Sequence, residues 1–139
     1  MPFTTESGTA LLNLLIANTD WANVGDSAGL QNSATAGHFY LSAHTADPGA
    51  AGVQNTTEIA YTGYARVELN RDGAEITVTN NTAALAAAAV WGAMSGGAGG
   101  TITHFGLGTA SSGAGHLIAR GTVTPNIVVT NGVTPQLNA

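Results

Sequence analysis

The sequence predicts a mainly β protein: an antiparallel β-sandwich or jelly roll of about eight strands, preceded by one N-terminal helix. Three observations carry this. Turn-forming clusters punctuate the chain every ten residues or so; short β-branched and aromatic runs lie between them; and only one segment has helical character. Strands do not alternate with helices, which disfavours a parallel α/β sheet. A length of 139 residues suits one domain, read as residues 1–139 with a helical arm at 1–20 and the sandwich at 37–139.

The helix is predicted over about residues 6–17. Leu11, Leu12, Leu14, Leu15 and Ile16 follow Thr4, Thr5 and Ser7, any of which can serve as N-cap, and Asn18 and Asp20 close the segment. At helical spacing the five apolar side chains spread over roughly 200°, wider than a helix resting on one core requires. Such a helix needs apolar neighbours on two sides. It either plugs the end of its own sandwich or lies as an arm on a neighbouring subunit.

Residues 18–36 have no period and read as a loop anchored by Trp21. Residues 38–44 alternate, with Phe39, Leu41 and Ala43 on one face and His38, Tyr40, Ser42 and His44 on the other. Asp47-Pro48-Gly49 turns the chain, and a polar surface loop continues to about Thr57. Residues 64–70 and 74–79 are predicted to form a hairpin around Asp72-Gly73, with Leu69 opposite Ile76 and Val67 opposite Val78. Residues 82–94 are ambiguous: alanine favours a helix, while Val90-Trp91 and the following glycines favour a strand over 87–93. Further strands are expected at 101–108, 116–123 and 126–130, with 133–137 an edge strand because of Pro135.

Composition narrows the function. Charged residues are 8% of the chain, the net charge is −5, and Arg66, Arg71 and Arg120 are its only strong cations because lysine is absent. A nucleic-acid binder neutralises phosphates with a basic patch that this chain lacks, and an anionic membrane is disfavoured for the same reason. Without cysteine, thiolate catalysis, disulfides and Cys-ligated metals are excluded. The apolar run at 11–16 has no basic region ahead of it and is too short to cross a bilayer, so neither a secretory signal nor a membrane span is expected. Alanine (25), glycine (19) and threonine (19) supply 63 residues, a composition suited to surfaces that lie against another protein.

A search for chemistry finds no constellation. His38 and His44 share a strand face about 20 Å apart, too far to hold one ion. His104 and His116 flank a turn, and with Asp47 or Glu58 they are the only conceivable metal set; ordinary surface or turn histidines are the favoured reading, so no metal or other cofactor is assigned. Ser95, Ser111 and Ser112 lack the nucleophile-elbow spacing, and the glycine loop at 96–100 has neither dinucleotide nor P-loop spacing. Glu68 and Glu75 are a remote glycosidase pair. The sequons at Asn55 and Asn80 matter only in a secreted chain. Arg66 and Arg71 have Glu68, Asp72 and Glu75 close in sequence, which suggests a solvated ion-pair network, or else anchors to a partner.

Residues 40–67 (YLSAHTADPGAAGVQNTTEIAYTGYARV), 103–117 (THFGLGTASSGAGHL) and 128–137 (VVTNGVTPQL) together resemble a family of small virion proteins of tailed bacteriophages, whose members are often labelled tail fibre proteins. The resemblance, with the shortness and single-domain character of the chain more similar to capsid cement or decoration proteins, implies a non-enzymatic building block on the outer surface of the phage head, assembled in the host cytoplasm. It would bridge the major capsid protein as a homodimer or homotrimer, with many modest contacts summed by avidity. Candidate contact residues are Leu11, Leu12 and Leu15 on the helix, His44, Asp47 and Pro48 in the HTADPG segment, and Arg66. The alternative is a tail fibre or tail-tip module binding host glycans, for which Trp21, Tyr40, Tyr61, Tyr64 and Trp91 are the aromatic raw material. A cupin-like enzyme would need His104 and His116 to converge on a metal.

Overall fold

A computed structural model describes residues 2–139. The fold class is the predicted one: one helix, α1 (Thr5–Ile16), and eight strands in antiparallel sheets. The strands are β1 (His38–His44), β2 (Val67–Asn70), β3 (Ile76–Thr79), β4 (Thr82–Leu85), β5 (Ala89–Val90), β6 (Gly100–Gly108), β7 (Leu117–Val129) and β8 (Gln136–Leu137). They form a four-stranded sheet in the order β2-β1-β6-β7 and two two-stranded sheets, β3-β4 and β5-β8. The chain divides into two compact units, one of Met1–His38, Leu69–Ala87 and Ala139, the other of Phe39–Glu68 and Ala88–Asn138.

In the first unit α1 packs on β3 and β4. Thr4 is the N-cap, its hydroxyl accepting from the Ser7 N–H at 3.2 Å. Gly8 faces Asn81 so closely that an added Cβ would sit 2.9 Å from the Asn81 Cβ. At the other end Asn18 adopts a left-handed φ of 52°, and the last turn contains no basic residue. The cation comes from elsewhere: Arg71 donates to the carbonyls of Leu15 (2.7 Å), Leu14 (3.0 Å) and Ala36 (2.8 Å). The Leu14 and Leu15 carbonyls lie in the last turn of α1, where they lack a helical partner, and a guanidinium also complements the dipole. The Arg71 side chain is therefore a helix clasp.

The hairpin expected around Asp72-Gly73 does not form. The turn chemistry is present, with Gly73 at φ 79° and the Asp72 carboxylate accepting from the Ala74 N–H at 2.9 Å. However, the Glu75 carboxylate accepts the N–H of Asn70, an amide at the start of the expected ladder. A tighter turn lies just beyond. Asn80, at φ 54°, takes a left-handed conformation that asparagine tolerates, and β3 folds back on β4 with Ile76 opposite Leu85 and Thr79 opposite Thr82. β2 instead becomes an edge of the four-stranded sheet.

The ambiguous 82–94 region is extended, and β4 and β5 both fall within it. Conversely, the two strands expected at 116–123 and 126–130 are one, β7. Thr103 of β6 faces four β7 residues, 123–126, across an irregularity between the pairs Ile102↔Ile127 and His104↔Thr122. One merger and one addition leave the strand number at eight.

The core of the second unit is built from Leu41, Ala43, Ile59, Trp91, Ile102 and Val129, each almost wholly buried. Trp91 donates its indole N–H to the Leu41 carbonyl at 3.2 Å. The expected polar face of β1 is also buried at Ser42 and His44, because the chain after β1 folds back over it. Thr45 N–H bonds to Thr57 O and Ile59 N–H to Ala43 O, both at 2.9 Å.

Candidate functional site

The residues singled out in the sequence separate into exposed and internal ones. Leu11 is 39% exposed, whereas Leu12 and Leu15 are half-buried. Asp47 is exposed, Pro48 is buried, Arg66 is 8% exposed and His44 is wholly inaccessible. Of the seven, Asp47 and Leu11 present the most surface.

Asp47 accepts from the Gly49 N–H at 2.8 Å and receives both its oxygens' worth of contact from Arg120, at 2.8 and 3.0 Å. The Gly49 amide, then the arginine charge, holds its carboxyl below the usual range. The pair is solvent-exposed and contributes little stability, but it ties the HTADPG turn to β7.

His44 belongs to a buried hydrogen-bond chain. Its Nδ1 lies 2.8 Å from the Thr56 carbonyl, which can only accept, so Nδ1 carries the proton. Nε2 lies 2.9 Å from Ser42 Oγ, itself 3.1 Å from the Gly106 carbonyl. The side chains crowd Gly106, where an added Cβ would stand 2.7 Å from Nε2. With both members buried, this serine–histidine pair is structural. Burial lowers the His44 pKa, partly offset by the Thr56 bond and the Glu58 charge. The sign follows from linkage. The unfolded chain protonates first as pH falls below about 6.5, so stability is full above that pH and declines below it until the folded imidazole also titrates. The midpoint of thermal unfolding is expected to drop between pH 7.5 and 5.5, and His44→Gln to flatten that slope; an unchanged slope in the variant would assign it to other groups.

Arg66 is anchored more deeply than an ion-pair network on the surface would place it. Its Nε and Nη2 bond to the two oxygens of Glu58, each at 2.7 Å, while Nη1 and Nη2 donate to the carbonyls of Ala110 (2.8 Å) and Gly113 (2.7 Å). The partner is Glu58, eight residues upstream, rather than Glu68, Asp72 or Glu75. The Glu58 bond raises the Arg66 pKa against a lesser opposing effect of burial. Tyr64 completes the group: its hydroxyl donates to Glu58 at 2.7 Å and accepts the Ala43 N–H at 3.0 Å, and burial pushes its pKa far up.

Above this group is a cleft of about 510 Å³, lined by Tyr61, Tyr64 and the Glu58–Arg66 pair, with Asn55, Ser111 and Ser112 among its polar residues. The two tyrosine rings meet edge to face with centroids 5.4 Å apart. Gln54, fully buried, holds one side in place: it donates to Tyr40 O (2.8 Å), its side-chain oxygen accepts from Ala110 N–H (3.1 Å), and its own N–H reaches Gly115 O (2.9 Å). Neither Gln54 nor Ser42 stands out in the sequence. Gln54 sits in a polar stretch indistinguishable from surface loop, and nothing in the sequence around Glu58 marks it as the partner of Arg66.

His104 and His116 do not converge. His104 pairs across from Thr122, whereas His116 precedes β7, whose Leu117 pairs with Gly108; the two lie about five residues apart along the ladder, roughly 16 Å. Among the described residues, no group of three or more His, Asp or Glu is placed to hold a metal ion, and no helix is long and apolar enough to cross a membrane. The expected aromatic display is largely internal: Trp91 is 1% and Tyr61 9% exposed, with Trp21, Tyr40 and Tyr64 half-buried.

A search among curated proteins returns no match. Family comparison does, and it spans residues 3–139, taking in the helix, all eight strands and the Arg66–Glu58 cleft. The chain belongs to the Gp80 family, described as podophage GP4 fiber I protein gp80, and is thus a structural protein of a tailed-phage virion.

Proposed function

We infer that this chain is a building block of a podophage tail fibre that works by self-association and carries out no chemical step. The observation that carries the reading is the family match over nearly the whole chain. The surface is consistent with it: two of the three arginines are turned inward, and Phe3, Leu11, Ile118 and Val128 are exposed apolar side chains. Leu11, with Leu12 and Leu15 along the helix, is the accessible part of the contact set in the first unit and the Asp47–Arg120 turn that in the second, where His44, Pro48 and Arg66 are internal. Two or three copies would form the homo-oligomer.

The second reading, a cement protein on the major capsid protein at the outer surface of the head, uses the same exposed residues and rests on the resemblance of the sequence to small tailed-phage virion proteins. Antibody against the purified protein, imaged on intact virions, separates the two. Label on the tail fibres is the expected result. Label over the head overturns the fibre reading in favour of the cement role.

A further inference from the structure

The cleft over the Arg66–Glu58 pair has a chemistry that selects its occupant. Its floor carries no net charge, because the guanidinium and carboxylate neutralise each other and four of the five arginine N–H groups are already spent. Its walls are tyrosine rings whose hydroxyls are also spent, Tyr61 on the Gly92 carbonyl (2.8 Å) and Tyr64 on Glu58, so that they offer ring surface only. The Asn55 amide and the Ser111 and Ser112 hydroxyls, in contrast, make no hydrogen bond to other described residues. These are three uncharged polar groups around apolar rings, in a volume that accommodates more than a single small ring.

A ligand matching this arrangement is neutral, has C–H faces to lie against tyrosine, and carries hydroxyls that both donate and accept. Pyranose chains meet all three requirements. Acidic chains are opposed by the net charge of −5, and cationic ligands find the only cleft carboxylate occupied by Arg66. We propose that this cleft binds a neutral oligosaccharide, with Asn55, Ser111 and Ser112 bonding its hydroxyls and Tyr64, backed by the largely buried Tyr61, packing against a sugar ring. Binding is a property of the single chain, so it stands or falls separately from the position of the protein on the virion.

The test is saturation-transfer NMR and titration calorimetry on the full chain with four neutral tetrasaccharides (maltotetraose, cellotetraose, mannotetraose and chitotetraose). Methyl glucoside serves as the short control and tetragalacturonate as the acidic one. At least one neutral tetrasaccharide is expected to bind with a Kd of about 1 mM or tighter, ahead of both controls. The triple variant Asn55→Ala, Ser111→Ala, Ser112→Ala changes only exposed side chains, so its unfolding midpoint should match that of the parent while its affinity falls about tenfold or more. A second variant, Ser112→Trp, is expected to block the cleft. No binding by any of the four at about 10 mM, stronger binding of tetragalacturonate or methyl glucoside, or undiminished affinity in both folded variants would each overturn the proposal.

Discussion

Arg66→Ala is expected to destabilise the protein by about 3–5 kcal/mol, lowering its unfolding midpoint by roughly 10–20 °C. Truncation removes one partner of a pair whose side chains are 2% and 14% exposed. The Glu58 carboxylate is left in a largely dry site with the Tyr64 hydroxyl as its remaining side-chain donor, and the carbonyls of Ala110 and Gly113 lose their partner. Arg66→Lys keeps the charge but not the planar fork, so it should fall between parent and alanine variant. The double variant Arg66→Ala, Glu58→Ala should lose clearly less than the sum of the single changes, since removing both charges leaves neither stranded. Calorimetric or denaturant unfolding of the five proteins, Glu58→Ala included, decides it. A loss below about 1 kcal/mol for Arg66→Ala would show that the pair behaves as a surface contact after all.

Trp91→Ala should cost a similar amount, about 3–5 kcal/mol, by a different route. The indole is 1% exposed and fills the space between β1 and the segment after β5, where the Trp91 backbone N–H also bonds to Pro135 O at 3.0 Å. Its removal leaves a cavity and takes the indole donor away from the Leu41 carbonyl. Trp91→Phe retains most of the bulk and loses chiefly the hydrogen bond, so a penalty of about 1–3 kcal/mol is expected. Denaturant unfolding monitored by far-ultraviolet circular dichroism compares the two without relying on the deleted fluorophore. Equal losses would mean that the hydrogen bond, rather than the volume, dominates.

What could be read from the sequence was local, and what could not was competition between partners. The α1 boundaries were legible because Thr4 and a dense apolar run determine them within a few residues. β1 and β6 were legible because Phe39, Leu41, Ile102 and Leu107 are bounded by glycine and turn residues. Asp72-Gly73 did signal a turn, yet a turn does not choose the strands it joins. Asn80-Asn81 offered β3 a closer partner, and only three-dimensional packing decides between the two. The candidate site was obscured for the same reason. Arg66 was visible as a rare cation, but its position among Glu58, Ala110 and Gly113 depends on segments eight to 47 residues away in the chain. Likewise, nothing in a polar run distinguishes the buried Gln54 from its exposed neighbours.

β7 forms an outer edge of its sheet, thirteen residues long and exposed at most positions, in a protein with no lysine to guard it. An uninterrupted edge of that length would invite strands from other molecules to add on, the route to amyloid. Residues 123–126 bulge away from the ladder, and Pro125 within them has no N–H to offer. The edge is thereby cut into two short runs, so that many copies can be synthesised and concentrated side by side without zipping into an endless cross-β filament.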